Sequence, residues 1–186
     1  MKLSHHDSLM KAELVSAKFW DLIKIRLPWL VVGLVGGLVA SMVVSRFETS
    51  LQETIALAFF IPVIAYMSDA IGTQTETILI RALTNLKFDI TKYVYRELLL
   101  GAVIGSVLGI VTGVFAYFLS ASSRVGYVVG ISLFISMTIA AVLACLTPLI
   151  LRSFGKDPAV GSGPFTTAVQ DVASLLIYFS VAILIL

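Results

Sequence analysis

Asp171 lies in GSGPFTTAVQDVASLLIYFSVAILIL (161–186), a stretch otherwise apolar enough to sit in hydrocarbon, and at helical spacing it shares a side with Thr167, Ser174 and Tyr178. A charged group at the centre of a bilayer costs about 3 kcal/mol on insertion scales, so a carboxylate found there marks a functional position by default. A second stretch repeats the design. Asp69, Thr73 and Glu76 fall at i, i+4 and i+7, Pro62 and Tyr66 continue the same stripe, and Gly72 adds backbone freedom to open toward a ligand. Two such stripes on two helices offer carboxylates, hydroxyls and the amides of Gln74 and Gln170. Hard divalent cations take oxygen ligands of this kind, and magnesium keeps much of its water shell while meeting one or two carboxylates. Asp171 is therefore the leading metal ligand expected from the sequence, and Asp69 the second.

Blander uses of the same residues weigh against some positions. Ser and Thr in membrane helices commonly bond to their own backbone, and a structural ion pair with Arg81 is the bland use of Glu76. Two membrane carboxylates also occur in intramembrane aspartyl proteases, but the Gly-x-Gly-Asp motif those enzymes carry is absent. The denser Asp, Gly and Arg signature of lipid phosphotransferases is absent as well, so no enzyme is expected. Proton coupling through Asp69 or Glu76 is the other use open to these groups.

The elements that must hold these residues follow from composition. Of 186 residues, 59% are hydrophobic and 13% charged, with a mean hydropathy of +1.02. These values belong to an all-α integral membrane protein. A net charge of +2 gives no reason to expect nucleic acid as a partner; membrane lipid is the expected surroundings. Spanning about 30 Å of hydrocarbon takes about 20 apolar residues. Five runs qualify: Leu27 to Ser45, Thr54 to Leu83, Leu98 to Ser120, Val125 to Leu151, and Pro164 to Leu186. Eleven Lys and Arg fall on one side of these spans and two, Arg46 and Arg124, on the other. That bias places the N-terminus in the cytoplasm and the C-terminus outside, in an inner or plasma membrane. Residues 1–26 read as an amphipathic helix at the cytoplasmic interface, with Trp20 and Trp29 in the aromatic belt, and 27–186 as the five-helix membrane domain. No cleavable signal peptide is expected, and the lone Cys145 forms no internal disulfide. In the third span Gly101, Gly105, Gly109 and Gly113 recur every four residues, which suits close helix packing within or between subunits.

Two segments carry a resemblance. PVIAYMSDAIGTQTETILIRAL (62–83) resembles the second-helix signature of the MgtE-type magnesium transporters, with its Pro, Gly-Thr-Gln and terminal Arg. DPAVGSGPFTTAVQDVASLLIYF (157–179) resembles the fifth-helix signature: Asp-Pro-Ala, a Gly-Pro pair, paired Thr, and an Asp before an aromatic end. The resemblance implies a homodimer with its pore on the two-fold axis, lined by the second and fifth helices. Both copies of Asp171 would then meet at the axis to hold a hydrated magnesium ion. The other pore-lining positions expected on these two helices are Ala70, Gly72, Thr73, Glu76, Thr167, Gln170 and Ser174, with Asp69 as the second candidate ligand.

The sequence departs from the family pattern in two ways. Aligned on Gly72-Thr73-Gln74, the family's pore-gating Asn falls on Ala70, and Asp69 adds an acid where Gly is usual. The family's cytosolic N-terminal and CBS domains have no counterpart in the 26 residues before the first span, so a membrane part without that feedback is expected. The function expected is a divalent-cation channel, magnesium first. The alternatives are a proton-coupled carrier of manganese or cobalt, or a membrane assembly subunit that transports nothing.

Overall fold

A computed structural model of the chain describes residues 18–85, 88–155 and 158–186, with only the backbone described at 84, 85 and 160. Among the described residues six helices follow one another: α1 (Phe19–Arg46), α2 (Glu48–Glu53), α3 (Ala56–Asn85), α4 (Ile90–Ser120), α5 (Ser123–Ser153) and α6 (Pro158–Ile185). All but α2 are long and apolar enough to cross a membrane. Helices are the form an apolar run must take in lipid, because each closes its own backbone hydrogen bonds.

The long helices outrun the apolar stretches that signal them. They hold 28 to 31 residues, which at about 1.5 Å per residue is longer than the roughly 30 Å of hydrocarbon. α4 begins at Ile90 rather than Leu98, taking in Lys92 and Arg96, and α6 begins at Pro158 rather than Pro164. α1 runs unbroken from Phe19 to Arg46 with Pro28 inside it, so the helix begins before the first apolar run does. Residues 1–17 of the expected interfacial helix, and Asp157 of the Asp-Pro-Ala motif, lie outside the described residues.

α5 is the central helix. It packs along α4 over most of its length and also against α3 and α6, while α1 lies against α6. The glycine face of α4 is spent within the subunit. A Cβ on Gly109 would lie 2.6 Å from the carbonyl oxygen of Gly130, and one on Gly113 would lie 2.8 Å from that of Gly126. The two backbones touch because neither has side chains there, which maximises dispersion where lipid offers no hydrophobic drive. A two-residue link joins α4 to α5: Ala121 caps α4 in the left-handed region at φ 50°, and Ser122 caps α5 by accepting from Val125 N.

Small residues also seat α1 on α6. A Cβ on Gly36 would collide with Ala168, and one on Gly161 with the Trp29 ring. Trp29 therefore packs on a helix, whereas Trp20 is exposed. Leu57, Phe60, Ile64, Leu133, Met137, Tyr178 and Phe179 belong to the core, and Phe47 stacks on Phe179 with ring centroids 4.5 Å apart. Cys145 is free and buried in this bundle.

Candidate functional site

α3 and α6 supply the site. They run side by side, and polar side chains bridge them at two levels. Thr167 Oγ1 donates to Asp69 Oδ1 at 2.7 Å. Toward the end where α3 finishes and α6 starts, the Ser162 hydroxyl reaches Oε1 of Glu76 as well as its own helix at Pro158 O. Both levels join a carboxylate of α3 to a hydroxyl of α6.

Asp171 follows Thr167 by four residues, one turn further along α6, and both are half-buried. Asp69 is half-buried too, and with one oxygen held by Thr167 its other oxygen is left for a ligand. Ala70 is half-buried nearby on α3 and Thr73 is exposed. Two carboxylates from neighbouring helices thus share a partly open face with a hydroxyl. Such a face attracts a hydrated cation, because water on the ion hydrogen-bonds to carboxylate oxygens without being stripped. Among the described residues no three His, Cys, Asp or Glu side chains converge on one point.

The remaining expected positions turn into the subunit. Glu76 is only 8% exposed and held by Ser162. Ser174 is buried and donates to its own helix at Asp171 O, and the Tyr178 hydroxyl donates to Leu57 O at 2.8 Å. Gln170 is 1% exposed and its Nε2 donates to Ala140 O at 2.9 Å. Gly72 is buried beneath that amide. The stripes read from the sequence therefore divide. Asp69, Thr73, Thr167 and Asp171 keep an open side, while Gly72, Glu76, Gln170 and Ser174 are buried, Glu76 and Gln170 through bonds to neighbouring helices. The reason is angular: Glu76 and Ser174, seven residues from Asp69 and Thr167, lie about 20° round the helix from them, and Gly72 and Gln170, three residues away, lie about 60° round on the same side.

One buried carboxylate was not singled out by its sequence position. Glu97 of α4 is 5% exposed and accepts from Thr75 Oγ1 at 2.9 Å, with Arg96 standing over the Tyr93 ring one turn earlier. Its signal is the glycine period: Glu97 stands four residues before Gly101 and so begins the face that packs on the bundle.

The sequence pattern of the MgtE family, described as a divalent cation transporter, matches residues 61–181, a stretch that holds Asp69, Thr167 and Asp171. The chain is 35% identical over 160 residues to the magnesium transporter MgtE of Bacillus subtilis. It is 34% identical over 164 residues to that of Thermus thermophilus and 34% over 160 residues to that of Enterococcus faecalis. These alignments cover 84%, 87% and 84% of this chain but 36%, 36% and 35% of the relatives, so the chain spans about a third of their length. A pattern match over more than half the chain, on a multi-pass helical bundle with five candidate membrane spans, makes this protein a member of the MgtE family of divalent cation transporters.

Proposed function

We propose that the protein conducts magnesium across a membrane along the face of α3 and α6 that carries Asp69, Thr167 and Asp171. The observation that carries this reading is the Thr167–Asp69 bond at 2.7 Å, which joins the two matched motifs on a half-open face beside Asp171. The protein's relatives are magnesium transporters, which supports magnesium as cargo. Two copies related by a two-fold axis bring this face onto itself, so that four carboxylates, two from each subunit, surround a hydrated ion. With the Lys- and Arg-rich ends inside, the path runs inward down the gradient and the membrane potential. Asp171 is the main ion ligand. Asp69 strengthens the negative field and takes the ion's water as a second ligand.

Uptake into liposomes that contain only the purified protein tests this directly. Magnesium uptake without a proton gradient is the expected result. Uptake that needs an imposed pH gradient would replace the channel with a proton-coupled carrier, and no uptake from folded protein would remove transport by this chain alone.

A further inference from the structure

Gln170 precedes Asp171 on α6, and the two point different ways. Successive residues on a helix stand about 100° apart, so wherever the Gln170 side chain is fixed, the direction of Asp171 is fixed with it. Gln170 is fixed firmly. It is 1% exposed, and its Nε2 donates to Ala140 O of α5 at 2.9 Å. Its amide also lies flat on α3 at Gly72, where any Cβ would collide with Nε2, Oε1 and Cδ together. Glycine at 72 is thus a socket for the amide, and the Gly-Thr-Gln motif of α3 and the Gln-Asp pair of α6 meet at one point. Gly72 is three residues from Asp69, so the socket and Asp69 are about 4.5 Å apart along α3.

An apolar side chain would fill the same space without a preferred direction. The amide adds a directional bond to a carbonyl on a third helix. It also brings a cost that needs a reason. Gln170 Oε1 is buried with no donor, as are the hydroxyl oxygens of Thr166, one turn back on α6, and Ser136, one turn back from Ala140 on α5. Buried polar atoms left unpaired in an apolar bundle mark a position kept for something other than stability.

We propose that Gln170 is a positioning residue: by seating its amide between Gly72 and the Ala140 carbonyl, it sets the rotation of α6 and thereby the placement of Asp171 relative to Asp69. The inference rests on the reading of α3 and α6 as the ion path, and it makes α5, which need not touch the ion, the reference against which the ligands are aligned.

The test is a cycle of Gly72→Ala, Gln170→Ala and the double variant, with Gln170→Met alongside as a side chain of similar length that lacks the donor. Two quantities are read: the melting temperature of the purified protein and the magnesium concentration that half-saturates uptake. In the wild-type background Gly72→Ala lowers the melting temperature and raises the half-saturating concentration about fivefold, whereas in the Gln170→Ala background it does neither. Gln170→Met melts near the wild type yet raises the half-saturating concentration about as much. An equal loss from Gly72→Ala in both backgrounds overturns the socket. Wild-type half-saturation in a folded Gln170→Met protein overturns the positioning role. Absence of uptake by the wild type counts against the ion path instead, and the melting cycle still decides whether the socket exists.

Discussion

Thr75 of α3 donates its hydroxyl to Oε2 of Glu97 on α4 at 2.9 Å, and both side chains are buried. α4 otherwise meets α3 only in passing. The bond is therefore a local tie between the helix that carries Asp69 and the hairpin of α4 and α5. Its neighbour Glu76 faces the other way, to Ser162 of α6. Adjacent residues of α3 thus join it to helices on both sides.

Removing the donor leaves Glu97 with an unmet buried acceptor. Thr75→Val is expected to destabilise the protein by about 1–3 kcal/mol, while Thr75→Ser, which keeps the hydroxyl, loses much less. Unfolding of the purified variants in detergent measures both. Equal losses for Val and Ser would mean that the methyl group, not the bond, is what matters at position 75.

Much of this arrangement was legible in the sequence, and the rest was not for identifiable reasons. The apolar runs located five spanning helices, because length and hydropathy decide that question in lipid. They did not give the helix ends, since Lys92 and Arg96 are helical without being apolar. The pairing of Asp69 with Thr167 follows from two stripes whose facing was readable, though not the atoms that meet. Glu76, Ser174 and Tyr178 sit on the same nominal stripes as the aspartates yet turn inward, and Gln170 beside the stripe does too, because which side of a polar helix is buried depends on the helices packed around it. For Gln170 the neighbour is α5, whose Ala140 carbonyl carries no sequence signal.

The glycine seam makes a sharp prediction with an internal control. Gly109→Ala and Gly113→Ala would push α4 off α5, because each Cβ lands within 2.8 Å of a backbone carbonyl oxygen that cannot move aside. Each should cost about 1–3 kcal/mol. Gly37 has nothing within 4 Å of its would-be Cβ, so Gly37→Ala should be neutral or slightly stabilising. Melting temperatures of the three variants side by side check this. A loss at Gly37 equal to that at Gly109 would indicate a general intolerance of substitution rather than a backbone contact.

Asp69 supplies charge next to Asp171 and is oriented by Thr167. Asp69→Asn removes that charge while keeping the shape. Its half-saturating magnesium concentration is expected to rise about three- to tenfold at low salt, with the effect shrinking as ionic strength grows. Thr167→Val, which frees the carboxylate without removing it, should change the same quantity less. Magnesium uptake titrated at low and high salt separates the two. A shift that ignores ionic strength would place Asp69 in direct coordination rather than in the surrounding field.

The central claim is that Asp171 meets the ion. Magnesium uptake into liposomes should be compared between the wild type and Asp171→Asn, with each variant's helical content and melting measured in the same preparation. The isosteric amide keeps the fold and removes the charge, so uptake is expected to fall about a hundredfold, equivalent to about 3 kcal/mol. Uptake at the wild-type rate by a folded Asp171→Asn protein would contradict the account and move the ion path away from the α3–α6 face.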